Sequence, residues 1–505
     1  MGANLILTKN QRLAVIGAAL LSLFLGALDA LIISAAMPTI VAQLGGLQLY
    51  SWVYSAYFLS RAVALPIFGK LADLYQCRRL FMASVAIFLL ASLAAGCAWN
   101  MTALILARVV QGLGAGGIFA LVYIILADVA IPEKRGRTLS LASSVWGIAS
   151  VLGPTLGGII VTYGSWRWVF FLNLPLGMVS LWGIGRYFTD VRPKKKEVTL
   201  DLQGVATLST AILALLFALL LGGRSYPWGS PLIMGLIGMA IFGLIAFIYI
   251  EKKAPDPILS INFFRNQRFA TGNAAVFFSS FAIFSLFAFA PLYIQGVQGK
   301  TPLKVGMNMV SLSLGWSLGA MALGQVIDRL GQKSCALAGA MGLVAGCGLT
   351  LTFTATSPLW FSFTVFFIIG TGMGFVALAT LLMVQSCLAV EDLGVATASN
   401  QFARTLGGTV GVGVCGSLMA ARLSGLGAAM RAAGVLDHLP GKLAVAQMDQ
   451  IEGILQPEIQ ALMPPALRHI LQETVLRGSH EVFWAVVFAA LLCLLACLLT
   501  PRQSA

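Results

Sequence analysis

The chain has 505 residues, 59% of them hydrophobic and only 10% charged, with a mean hydropathy of +0.90. A soluble core cannot absorb that much apolar surface, so lipid is the expected solvent. Strand alternation is absent, which argues against a barrel, and the formal charge of +14 is scattered over short loops, which argues against nucleic acid as a partner.

Hydropathy resolves about fourteen apolar stretches of roughly 20 residues, the length that crosses a hydrocarbon core of about 30 Å as a helix. The predicted fold is an all-α polytopic membrane protein with two six-helix bundles and two extra transmembrane helices. The first stretch, near 13–37, follows Lys9 and Arg12 and is long enough to span, so it reads as a helix and not as a cleaved secretory signal. Further helices are expected near 50–68, 80–98, 103–127, 139–163 and 167–188, making 1–190 an N-terminal bundle. Residues 191–260 hold a basic linker at Arg192 to Lys196 and the two extra helices, near 201–222 and 231–250. The second bundle takes 261–420 and 482–505, with helices near 270–295, 304–327, 335–353, 360–386, 395–420 and 482–500. Between them, 421–481 is expected as a long extracytoplasmic loop. There Met448 to Leu455 and Pro465 to Leu476 have the pattern of short amphipathic helices, in a lid or a passive spacer.

Alternate loops carry roughly twenty Lys and Arg on one side, among them Arg78, Arg79, Lys134, Arg135, Arg137, Lys194, Lys195, Lys196, Lys252, Lys253 and Arg329. That side is expected to be cytoplasmic, with both termini inside a cell (inner or plasma) membrane. The eight Cys lie mostly in apolar stretches, so no disulfide framework is expected.

A repeat supports the two-bundle division. Gly69-Lys70-Leu71-Ala72-Asp73 recurs as Gly324-Gln325-Val326-Ile327-Asp328-Arg329, each after the second helix of its bundle. Glycine lets helix ends approach closely, and a carboxylate there can accept backbone N–H groups at a helix N-terminus or pair with a nearby Arg such as Arg78. A latch that breaks and reforms, or a pair of ordinary capped turns, would both fit.

Several motifs, in order, carry a resemblance along essentially the whole chain: Leu28-Asp29 through Ala36-Met37-Pro38; Gly69 to Leu80; Arg108-x-x-Gln111-Gly112; Gly153-Pro154-x-x-Gly157-Gly158; and Trp166-Arg167-Trp168-x-Phe170-x-x-Asn173-x-Pro175. The sequence resembles the major facilitator superfamily, and within it the fourteen-helix drug:proton antiporter branch. It departs from that pattern at Gln76, where a second Gly is usual, and at Cys77, where a basic residue is usual. The resemblance implies multidrug export powered by a proton gradient, with small lipophilic compounds and protons as partners and no cofactor.

The residues have a physical reading of their own. Among 18 acidic residues, Asp29 is the one found deep inside a predicted span. Burial favours its neutral form and a neighbouring cation its ionised form, so alternation between two such environments would load and release a proton; a static ion pair is the alternative. Arg108 is the expected partner, since its depth in the fourth predicted helix matches that of Asp29 in the first to within a turn, although an Arg bonded to helix carbonyls would also fit. Gln111 either extends this contact or points to the surface. Gly153, Pro154, Gly157 and Gly158 permit a kink and close packing, as do Gly407, Gly408, Gly411 and Gly413.

Arg61 and Arg404 are intramembrane cations with no acid at similar depth. Arg61 either snorkels to the interface or faces the cavity, and Arg404 either caps carbonyls of a glycine-loosened helix or faces the cavity. Three arginines against one acid would favour anionic or neutral amphipathic substrates over dications. Phe277, Phe278, Phe281, Phe284, Phe287 and Phe289 offer either ligand contacts or lipid-facing bulk. His438, His469 and His480 lie in or beside the predicted loop, so no intramembrane His relay and no metal site is expected.

An ATP-driven pump is disfavoured, because Ile294 occupies the position where the loop ending in Gly299-Lys300-Thr301 would need Gly. No catalytic pair supports an enzyme. The remaining alternatives are a facilitator or exporter of one metabolite or lipid-like anion without proton coupling, and a non-transporting sensor or scaffold.

Overall fold

The computed structural model describes residues 8–44, 50–131, 134–190, 201–222, 226–254, 261–300, 302–389, 392–424 and 465–501. Helices account for the regular structure among them, and no strand forms. In chain order these are α1 (Lys9–Leu44), α2 (Tyr50–Leu74), α3 (Cys77–Gly96), α4 (Met101–Val129), α5 (Arg135–Tyr163), α6 (Trp168–Phe171) and α7 (Asn173–Tyr187). The pair α8 (Leu202–Leu221) and α9 (Pro231–Glu251) follows. The chain continues with α10 (Gln267–Leu292), α11 (Pro302–Leu330), α12 (Gln332–Thr350), α13 (Leu359–Ser386), α14 (Leu393–Ser424) and α15 (Pro465–Leu499).

Local chemistry sets several starts. Asn100, Asp201, Ser230 and Asn266 accept backbone N–H bonds from Ala103 (2.7 Å), Gly204 (2.8 Å), Ile233 (3.4 Å) and Arg268 (3.0 Å), capping α4, α8, α9 and α10. The predicted helix over 167–188 is broken at Leu172 into α6 and α7. Pro175 has no N–H to offer the carbonyl of Phe171, so the ladder cannot run through.

Among the described residues ten helices are long and apolar enough to cross a membrane, against about fourteen expected stretches. The other four are α2, α5, α8 and α14. Of these, α2 carries Arg61, Lys70 and Asp73, α14 is rich in Gly and holds Arg404, and α8 is apolar but shorter.

The helix expected at 482–500 begins instead at Pro465, so residues 465–481 belong to α15 and not to the loop. The reason is phase. Leu471, Val475, Ser479, Val482, Val486, Ala490, Cys493 and Cys497 are all buried at steps of three or four, one stripe that continues the amphipathic pattern straight into the span. Residues 421–424 likewise extend α14. The basic linker Arg192 to Lys196 and the segment Met448 to Leu455 lie outside the described residues.

Two helical groups result. In the first, α2 and α3 pack on α4, and α1 packs on α5 and α7; in the second, α11 and α12 pack on α13, and α10 on α14 and α15. They meet along α5 against α11 and α2 against α14. The α8–α9 pair packs on the α2–α14 seam, where Leu208, Ile212 and Phe247 join Leu59 and Ala62.

Helix α4 is the most enclosed, since side chains are missing on the faces where its neighbours cross. A Cβ at Gly112 would strike Ser60 and the Tyr57 carbonyl of α2, and one at Gly114 would strike backbone of α3 at Ser84 and Phe88. That close approach seals the polar face of α4 inside the bundle.

Candidate functional site

Asp29 sits in α1 at 1% exposure and Arg108 in α4 at 0%, and the two form an ion pair through Oδ2 and Nη1. Gln111, one turn along α4, donates to Asp29 Oδ1 at 2.9 Å, and Asn173 at the start of α7 donates to the same oxygen at 3.0 Å. Both amides also reach Ser92 Oγ of α3, at 2.8 and 3.2 Å. Arg108 Nη1 donates to Gln111 Oε1 at 2.7 Å, and its Nε reaches the Val53 carbonyl of α2 at 3.3 Å. Its guanidinium lies over the Tyr57 ring, 4.2 Å from the centroid, while the Tyr57 hydroxyl donates to the Gly26 carbonyl at 3.1 Å. Five helices therefore converge on one carboxylate.

Every group aimed at Asp29 is a hydrogen-bond donor. Out of water, such a pair holds only while both partners remain; losing one strands a buried charge, at a cost of about 3–5 kcal/mol. Gly153 of α5 abuts Leu31 and Ile32 of α1, so the glycine motif presses on the turn that carries Asp29. Gly157 is buried in the same helix, and Pro154 and Gly158 lie within its run.

A second polar group lies between the bundles. Arg61 does not snorkel: it is 6% exposed, with its guanidinium 4.8 Å from the centroids of both Phe58 and Phe119. Aromatic faces to either side hold it in place, and the chain reaches no interface. Arg404 makes no hydrogen bond to a carbonyl among the described residues. It is 9% exposed and stands 5.9 Å from the Tyr123 ring and 6.0 Å from that of Trp316.

At the end of the molecule that carries the turn after α2, the bundles are fastened. Asp73 accepts the backbone N–H groups of Gly394 and Val395, both at 2.8 Å, at the start of α14. Its charge meets the positive end of that helix, and Gly69 lies directly against Ala398 one turn further on. Across the seam Gly324 of α11 abuts Gly136 and Ser140 of α5, the matched contact in the repeat. Arg135 donates to Gln385 at 3.0 Å, and Gln385 donates to Thr397 at 2.9 Å, tying α5, α13 and α14 together. The repeat is not symmetric in its acid: Asp328 is exposed and makes no hydrogen bond among the described residues, and Arg329 is exposed beside it. Arg78 serves its own bundle, donating to the Gly185 carbonyl of α7.

Residues 19–412 match the family model of the Major Facilitator Superfamily. The chain belongs to this superfamily. The Bacillus subtilis multidrug transporter protein MdtP is 32% identical over 499 residues, 95% of this chain and 92% of its own. Multidrug resistance protein 3 of the same organism is 35% identical over 402 residues, 79% of this chain and 78% of its own. The structure of the human organic anion transporter MFSD10 (TETRAN) superposes with a TM-score of 0.58 over 95% of this chain and 99% of its own; at 13% identity that likeness shows the fold alone. This superfamily member is a multi-pass integral membrane protein and a transporter, not an enzyme.

Among the residues singled out in sequence, Asp29, Arg108 and Gln111 come together, and Gln111 extends the pair instead of facing lipid. The Phe stripe is divided. Phe277, Phe281 and Phe284 pack at Gly407, Gly411 and Gly408 of α14, so they form a helix crossing and not lipid-facing bulk. His480 lies within α15, its Nε2 3.0 Å from the Phe353 carbonyl. Ser92 and Asn173 were missed as partners of Asp29. Asn173 stood inside the Trp166-to-Pro175 motif without a role, and a serine in an apolar helix such as Ser92 gives no signal at all.

Proposed function

We propose that this transporter is a fourteen-span proton-coupled antiporter that exports small lipophilic or amphipathic compounds by alternating access, with Asp29 as the proton carrier. The observation that carries the reading is the fully buried Asp29–Arg108 pair, whose carboxylate receives only donors. In this arrangement the acid is paired with Arg108. Movement of α1 or α4 that parts the pair would leave a desolvated carboxylate without its cation, and a proton taken from outside then neutralises it. Return of Arg108 expels that proton on the other side.

The latch at Asp73 fits the same cycle, since it closes the end that the distribution of Lys and Arg assigns to the cytoplasm. Rocking of the bundles requires that contact to break once per turnover. The remaining helices α2, α5, α8 and α14 would complete a count of fourteen, with α2, α5 and α14 on the seam between the bundles. The names of the relatives, two for multidrug transport or resistance and one for an efflux pump, support export of foreign or secreted compounds.

The test is Asp29→Asn in proteoliposomes under an imposed pH gradient. Gradient-driven uptake of a lipophilic dye is expected to vanish while exchange without a gradient persists. Gradient-driven transport at the wild-type rate would remove Asp29 from the coupling role.

A further inference from the structure

Arg61 and Arg404 approach one face of α4. Arg61 stands over Phe119 and Arg404 over Tyr123, and these two rings are four residues apart, one helical turn. Neither arginine forms an ion pair with a described carboxylate, and the one acid buried nearby, Asp29, is already engaged by Arg108. Arg61 is moreover within electrostatic reach of both Arg108 and Arg404, so like charges crowd together. Arg61 hydrogen-bonds Tyr57, yet among the described residues its Nε and Nη1 and the Nε of Arg404 have no hydrogen-bond partner.

The unpaired chemistry continues along α14. Asn400, fully buried, has neither its Nδ2 nor its Oδ1 satisfied, and Gln401, 3% exposed, has an unsatisfied Nε2. Trp316 of α11, whose ring faces Arg404, has an unsatisfied indole N–H. Buried polar groups without partners are rare, and buried cations without an acid are costlier still. Five side chains that are almost all donors, gathered between aromatic rings, have one common complement: an anion with an apolar body.

We infer that Arg61, Arg404, Asn400, Gln401 and Trp316 form a substrate site for the carboxylate or sulfonate headgroup of an amphipathic aromatic anion. The guanidinium forks match a planar or tetrahedral oxyanion, and Phe58, Phe119 and Tyr123 present ring faces to the body attached to it. The site joins the two bundles, with Arg61 on α2 and the rest on α11 and α14, so an occupant relieves the repulsion between them. This deepens the transport reading by naming the substrate class.

The experiment is isothermal titration of the full-length protein in detergent micelles, without any gradient, using three probes of one shape: 1-naphthalenesulfonate, 1-naphthalenesulfonamide and 1-naphthylmethylammonium. The sulfonate is expected to bind at least tenfold more tightly than either other probe. Arg61→Gln and Arg404→Gln are each expected to weaken the sulfonate by tenfold or more while leaving the sulfonamide within twofold. Equal binding of the three probes by the wild-type protein, a measurement that needs no variant to fold, would overturn the site. So would an undiminished sulfonate preference in a monodisperse Arg404→Gln variant. Retained coupling in Asp29→Asn with this preference intact would count against the proton carrier alone.

Discussion

Asp73→Asn is the perturbation that tests the latch most directly. The carboxylate of Asp73 accepts two backbone N–H groups, from Gly394 and Val395, each at 2.8 Å, and faces the positive end of α14. Hydrogen bonds to a charged group contribute about 1.5–3 kcal/mol each, and a charge at a helix N-terminus about 0.3–1 kcal/mol more. Asparagine keeps one neutral acceptor and can turn its amide onto the second N–H only as a donor. The closed arrangement should therefore lose about 2–4 kcal/mol, a shift of roughly 30- to 1,000-fold toward the parted state. Spin labels at the exposed Tyr75, in the turn after α2, and the exposed Ser386, at the end of α13, report the distance between bundles at that end. With native cysteines replaced, double electron–electron resonance should show a longer-distance population that is larger in Asp73→Asn than in the parent, and larger again in Asp73→Ala. Distance distributions that superpose for all three proteins would refute the latch.

Gly69→Val places a branched side chain where Gly69 meets Ala398, and the same pair of labels is expected to report parting without any change of charge. Asn173→Ala removes a donor from a buried carboxylate, a loss of about 1–3 kcal/mol, and should lower the thermal midpoint and slow gradient-driven transport without abolishing it; unchanged values of both would detach Asn173 from the site. Glu481→Gln breaks the exposed contact with Arg422, and scanning fluorimetry is expected to find no measurable change in the midpoint.

How much of the site was legible depends on how rare each residue type is in lipid. One acid among apolar neighbours is conspicuous, and a rise of 1.5 Å per residue is enough to match its depth to Arg108. Ser92 is invisible by the same logic, for a hydroxyl costs little in a helix and can bond its own backbone. Arg61 and Arg404 were visible as anomalies, but their environment was not: nothing in the order of residues shows that Phe119 and Tyr123 of α4 stand over them. The boundary of α15 was misplaced because a drop in hydropathy at Glu473, Arg477 and Glu481 resembles a loop, whereas the buried stripe from Leu471 to Cys497 runs through it unbroken.

The order of the residues by itself determined that this protein lives in a bilayer, that it is helical, that a short glycine-to-aspartate motif recurs in each half, and that Asp29 is exceptional. Those properties follow from local chemistry: apolar length, backbone satisfaction in lipid, and the cost of a buried charge. Tertiary structure alone decided that Asp73 reaches α14 across 321 positions of chain, that Asp328 does not repeat its role, and that two arginines without an acid partner stand over neighbouring rings of α4. Such pairings depend on how helices cross, and crossing is set by which small residues let two backbones touch, a condition that each helix satisfies only in the presence of its neighbour.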